Sequence, residues 1–134
     1  MNPTEVVQKM MQNDHFSQWL GIEIDGIEEG FCALHFTVKK EMLNGFSSIH
    51  GGVLFSAADS AFAFACNSFG KVAVALDVHI SYTRPAKEGD VLHVEAKMIH
   101  QGKTTGIYEV KITNAAQKLV ALFKGTSYRT GEEF

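Results

Sequence analysis

Residues 50–69 read HGGVLFSAADSAFAFACNSF, a His-Gly-Gly start followed by a run that is apolar almost throughout. No polar face of helical width interrupts Ala57, Ala58, Ala61, Phe62, Phe64 and Ala65. The pattern therefore predicts a helix from Gly51 to about Ser68 that has to be buried, with Gly70 as its stop. The run is nearly long enough to cross a bilayer, but it carries Asp59, three Ser and Asn67. A carboxylate at mid-membrane costs about 3 kcal/mol, so a helix inside a water-soluble fold is the better reading.

On either side of this rod the pattern changes. Upstream, Pro3 followed by Glu5, Val6, Val7, Met10 and Met11 predicts a short amphipathic helix ending near Asn13 and Asp14. Leu20 to Glu28 reads as a strand with a turn at Glu29-Gly30, and Cys32, Leu34, Phe36 and Val38 alternate with His35, Thr37 and Lys39. A loop from Lys40 to His50 contains Asn44-Gly45. Downstream come four alternating segments: Val72 to Tyr82 on one face, Leu92 to Met98, Tyr108 to Ile112, and Leu119 to Phe123. Turns fit at Arg84 to Asp90, at Gln101-Gly102-Lys103 and at Asn114 to Gln117. Connections this short require antiparallel pairing, since parallel strands need a long crossover. The order α-β-β-α-β-β-β-β gives a one-sided sheet that needs a cover and an apolar helix that needs burial. Wrapping the sheet around the helix meets both needs, which is the α+β hot-dog arrangement.

The 134 residues fit one domain spanning 1–134, with no repeat or linker to divide it. A net charge of -3 lacks the basic surplus of a nucleic-acid binder, though a local cluster of cations can still hold a small anion. Cys32 and Cys66 sit in apolar contexts without metal-type spacing and read as reduced thiols. The N-terminal MNPTEVVQKM has no signal-peptide core, so the expected compartment is cytoplasmic. Six His show no HxH, HxxxH or HExxH spacing, and neither a metal nor another cofactor is expected.

Two features carry chemistry. Asp59 stands mid-helix, where Asp is a poor helix former and no neighbouring charge offsets its desolvation; carboxylates in such settings often have perturbed proton affinity and a functional role, the plainer reading being a structural polar group. His50-Gly51-Gly52 places amide-rich backbone at a helix start, where free N–H groups and the helix dipole favour negative charge and glycine lets a ligand approach. A developing oxyanion suits that place. Gly51 and Asp59 lie eight residues apart, about 12 Å along a helix axis, so they cannot address one carbonyl from the same rod. If both act, they come from different copies of the chain, and a homodimer is the minimum active unit.

At these residues the chain resembles the PaaI-type branch of the hot-dog thioesterases, the phenylacetyl-CoA thioesterase family. The likeness runs through Asn44-Gly45-Phe46, His50-Gly51-Gly52-Val53, Ala58-Asp59, Ile80-Ser81-Tyr82-Thr83-Arg84-Pro85-Ala86, Gly89-Asp90 and Gln101-Gly102-Lys103-Thr104, covering most of residues 15 to 128. It implies a homotetrameric, metal-independent acyl-CoA thioesterase in which Asp59 is nucleophile or general base, the Gly51 amide polarises the carbonyl, and Asn44 and His50 shape the pocket. Coenzyme A enters as part of the substrate. Some relatives carry a hydroxyl residue near the position of Ala75 that helps place the attacking water, which alanine cannot do; either Asp77, Ser81 or backbone substitutes, or the mechanism differs in detail.

Further candidates are Gly52, Phe62 and Tyr82 for the acyl group, with Phe46, Phe55 and Phe64 beside them, and Arg84, Lys87, Lys103 and Lys124 for coenzyme A phosphates. A thiol leaving group, with a pKa near that of cysteine at about 8.5, needs little acid assistance, so a site this sparse suffices. Two other readings stand beside hydrolysis. One is an acyl-thioester dehydratase using His50, and the other is a non-catalytic acyl-CoA binding protein.

Overall fold

The structure is a computed structural model and describes residues 1–134. Helix α1 (Pro3–Asn13) starts at a capping box. The Asn2 side chain accepts the Glu5 N–H at 2.9 Å, while the Glu5 carboxylate accepts the Asn2 N–H at 3.1 Å. Its buried residues are Val6 and Val7. A second helix that the pattern did not predict, α2 (His15–Leu20), follows at once. Asp14 caps it through the Ser17 N–H at 3.0 Å, and Gly21, at φ 72°, ends it in the left-handed region. Leu20 is thus helical, and strand β1 begins at Glu23 rather than at Leu20.

Strands β1 (Glu23–Glu28), β2 (Phe31–Thr37), β3 (Lys71–Tyr82), β4 (Val91–Gln101), β5 (Thr105–Thr113) and β6 (Leu119–Glu133) form one antiparallel sheet in the order β1-β2-β4-β5-β6-β3. Between β2 and β3 the chain makes a short 3-10 turn at Lys40–Met42 and then helix α3 (Gly51–Asn67). α3 and β3 are therefore inserted between two strands, β2 and β4, that pair directly. This insertion lays the helix across the sheet and delivers β3 to the far edge. It is the hot-dog fold. No helix is long and apolar enough to cross a membrane.

The helix meets the sheet through Leu54, Ala57, Ala58, Ala61, Phe62 and Ala65, all buried. Phe62 packs edge-on against Tyr108 and tilted against Phe123, each at 5.7 Å between centroids. Gly125 makes room for that ring, since a Cβ there would lie 2.8 Å from Phe62 Cζ. At its far end α3 is pinned by Asn67, whose amide donates to Ala73 O at 3.1 Å and accepts from Ala73 N at 2.8 Å.

Further expectations need correction. The sheet does not cover α3 all round: Gly52, Ser56, Asp59 and Ala63, spaced one turn apart, form a stripe that stays half-open. Nor does β3 keep one apolar face from Val72 to Tyr82. Its register against β6 shifts between Ala75 and Asp77, so Ala73 and Ala75 share a face before the bulge, and Val78, Ile80 and Tyr82 share one after it. Val74 and Leu76 are left 50% and 61% exposed on the outer edge strand. β6 also runs to Glu133, well past Phe123, because it must pair with both β5 and the whole of β3.

Candidate active site

The first turn of α3 is organised by His50. As N-cap, its Nδ1 accepts the Gly52 N–H at 2.8 Å, and its carbonyl takes the N–H groups of Val53 at 2.9 Å and Leu54 at 3.4 Å. A neutral imidazole accepting at Nδ1 carries its proton on Nε2. The Gly51 N–H is the one donor of this turn left without a partner. Tyr82 at the end of β3 lies against Gly51, its hydroxyl donating to Gly51 O at 3.1 Å. Both glycines answer to close neighbours. A Cβ on Gly51 would lie 3.1 Å from Tyr82 Cζ, and one on Gly52 would lie 3.0 Å from His50 Nδ1.

Asn44 shapes the loop that leads in. Its Oδ1 accepts the N–H of Phe46 at 2.8 Å and of Ser48 at 3.2 Å, and a bridge from Leu43 to Ile49 closes the loop below it. The amide NH₂ of Asn44 is left unengaged. Phe46 stands 90% exposed at the tip, beside Ser47 in the left-handed region at φ 59°. Ile49 N donates to Ala86 O at 2.8 Å, tying this loop to the turn after β3. Together they frame a cleft of about 440 Å³ that brings Asn44, Ser48, Gly51, Tyr82 and Arg84 to one place. A larger depression of about 550 Å³ lies over β2 and β4 among Asp25, His93, Glu95 and Lys111; neither Gly51 nor Asp59 lines it.

Asp59 is the odd group of the helix. It is half-buried on the open stripe, with no hydrogen-bond or ion-pair partner within the chain. Burial pushes its carboxyl above the usual carboxylate range, and the negative charge of Asp14 adds to the effect. Ser56, one turn earlier, is engaged with its own helix, donating to Gly52 O at 2.8 Å. Asp14 escaped the sequence pattern; its only signal was an Asp three residues before Ser17, ahead of a short segment closed by Gly21.

The remaining candidates divide. Arg84 lies in the cleft with Gly51, while Lys103 lies at the other end of β3, in a cleft of about 240 Å³ with Lys71, Arg129, Glu132 and Glu133. Lys87 is held by Asp90 at 3.1 Å, and the Lys87 backbone N–H, ahead of its ammonium, keeps the Asp90 carboxyl below the usual range. Phe62 and Phe64 are core residues at 1% and 0% exposure, sealed between helix and sheet, and so do not face the cleft as expected. Gly52 is exposed beside it.

The sequence profile of the thioesterase superfamily matches residues 46–121, more than half of the chain. The chain belongs to the thioesterase superfamily. It is similar to the acyl-coenzyme A thioesterase PaaI of Escherichia coli K12, with 51% identity over 91% of this chain and 87% of that protein. The structure of the E. coli PaaI protein from the phenylacetic acid degradation operon superimposes with a TM-score of 0.96 at 47% identity, covering 98% of this chain and 95% of that one. A thioesterase protein of Streptococcus pneumoniae TIGR4, solved with coenzyme A, superimposes with a TM-score of 0.87 at 30% identity over 92% of this chain and 99% of that one. In this superfamily member, then, the matched region runs from the Asn44 loop through α3 to β6.

Proposed function

We propose that this thioesterase hydrolyses aryl- or medium-chain acyl-coenzyme A to the free acid and coenzyme A, at sites shared between two copies of the chain. One observation carries the reading. The helix offers a single free N–H at Gly51 and a single unpartnered carboxylate at Asp59, with about 12 Å of rod between them. A partner helix running antiparallel across a two-fold axis sets the Gly51 of one copy opposite the Asp59 of the other. The thioester oxygen then takes the Gly51 N–H, and Asp59 acts as nucleophile or as the base that removes a proton from water. With Asp59 as base, the water oxygen forms the new C–O bond, the C–S bond breaks, and the acid and the coenzyme A thiolate leave. With Asp59 as nucleophile, the thiolate leaves first and water then hydrolyses the acyl-Asp59 anhydride to the free acid. No step calls for a metal or a further cofactor.

Asn44, with its amide NH₂ free, borders the entrance, and the exposed His50 holds the first turn of α3 beside it. Tyr82 and Gly52 flank the acyl portion, and Arg84 meets the phosphates. Lys103 reaches the same coenzyme only from a neighbouring copy. The exposed edge of β3, with Val74 and Leu76, supports pairing of two copies edge to edge. Phe16 and Trp19, stacked at 5.8 Å and about half exposed on α2, support assembly of dimers into a homotetramer. A cytoplasmic setting is consistent with the two buried free thiols, whose pKa values burial pushes up to about 12. His50 Nδ1 is occupied as a helix cap, which weighs against a dehydratase using that nitrogen as its base.

The deciding experiment is a panel of aryl and straight-chain acyl-CoAs, with free thiol as the readout and enoyl-CoA hydration measured alongside. Hydrolysis of aryl or medium-chain thioesters that Asp59→Asn abolishes supports the proposal. Hydration without hydrolysis, or tight binding without turnover, contradicts it.

A further inference from the structure

Below the half-open stripe of α3 runs a row of polar groups, two of them buried serines, that the reaction as described does not use. Asp14, at the joint between α1 and α2, accepts the Ser17 N–H at 3.0 Å through Oδ1 and lies 2.6 Å from Ser17 Oγ through Oδ2. Ser17 Oγ is in turn 2.8 Å from Ser60 Oγ. An ionised carboxylate can only accept, so the Ser17 hydroxyl gives its proton to Asp14 and must accept from Ser60. The chain has one direction, Ser60 to Ser17 to Asp14, and ends on a charge, where hydrogen bonds are strongest. Ser17 is fully buried and Ser60 is 9% exposed, so water does not compete for the bond between them, while the Asp14 end of the row is half-buried.

Ser60 is the residue after Asp59. Successive helical residues point about 100° apart, so holding Ser60 against α2 fixes the direction in which the helix presents Asp59. We propose that Asp14 is a positioning residue for the reaction, acting on Asp59 through the hydroxyls of Ser17 and Ser60. This rests on Asp59 being the reacting carboxylate.

The electrostatics act in the same sense. The charge that raises Asp59, after burial, is that of Asp14. On α3 itself the nearby titratable group is the Cys66 thiol, neutral up to about pH 12. From the strands, the inward Tyr108 phenol is kept neutral by burial, and the charge of Arg129 bears on Cys66 and Tyr108. A carboxylate of raised proton affinity is the stronger base, and a stronger base is the better proton acceptor.

The test is the pH profile of kcat and KM for Asp14→Asn and Ser17→Ala beside the parent enzyme. Asp14→Asn removes the charge and keeps a good helix cap. The acid limb of kcat moves to lower pH, kcat on the plateau falls, and KM holds. Ser17→Ala breaks the row but keeps the charge, so kcat falls by about tenfold with less movement of the acid limb. Should Asp14→Asn misfold, Asp14→Ser supplies a neutral cap. A ¹³C carboxyl titration of Asp59 in each variant reads the coupling without any activity. Profiles and titrations that overlay the parent's overturn the proposal. Full activity in Asp59→Asn overturns the assignment of Asp59 instead, while the titration still reports whether Asp14 acts on it.

Discussion

The first turn of α3 and its middle treat polar groups in opposite ways. At the start, Gly52, Val53 and Leu54 all donate to His50, and only the Gly51 N–H is left over. At the middle, a carboxylate is held half out of water with no donor at all. Elsewhere the interior is orderly, with Ser17, Asn67, Ser68 and Ser127 all partnered and Arg129 Nε the lone buried side-chain exception. A fold that satisfies its polar groups this well and leaves a donor and an acceptor open on one helix has kept them for something from outside.

Breaking the middle has the larger effect. Asp59→Asn lowers kcat by about 10³, checked by steady-state thiol release. The same change stabilises the protein near neutral pH. Because the folded-state pKa of Asp59 is raised, the protonated form is the one folding favours. That stability is present at acid pH and lost as pH rises through the folded value. Thermal melts at acid and neutral pH show the variant's advantage over the parent growing with pH. No advantage at neutral pH would mean that the carboxylate has a partner in the assembled enzyme.

Breaking the start costs less. Gly51→Pro deletes the free N–H itself, and proline suits the first helical position. His50 is already extended at φ -66° and ψ 134°, as a residue before proline requires, and the exposed Tyr82 ring has room to yield. kcat falls by about 10² while the helix, followed by circular dichroism, persists.

His50→Ala sharpens the contrast with the smallest change. It removes the cap, at about 1 kcal/mol, and frees the Gly52 N–H, while His50→Asn restores the stability by replacing the cap. Denaturant melts of the two variants check this, and equal losses in both would contradict capping as the role of Nδ1.

Much of this is legible in the sequence. The apolar run gave α3 its bounds, the alternation of Cys32 to Val38 gave β2, and Asp59 stood out because nothing near it in sequence could offset its charge. What escaped was set by tertiary structure. α2 is too short to show a helical period, and the bulge at Leu76 reverses an alternation that reads as continuous. Phe62 and Tyr82 look alike as aromatic candidates, yet one plugs the core against Gly125 while the other lies open against Gly51. In the row from Asp14 to Ser60 the step from Asp14 to Ser17 is local, but the step from Ser17 to Ser60 joins residues 43 apart, and no local pattern records it.

The central claim, that the donor and the carboxylate of one site belong to different copies, is tested most directly by mixing two disabled enzymes. Asp59→Asn and Gly51→Pro are each nearly inactive as pure proteins. Unfolded together and refolded at equal amounts, half of the dimers pair one with the other, and each such dimer holds one intact site of two. Thiol release then recovers to about a quarter of the parent rate. A mixture no more active than its two components would show that each chain works with its own helix alone, and the shared site would be wrong.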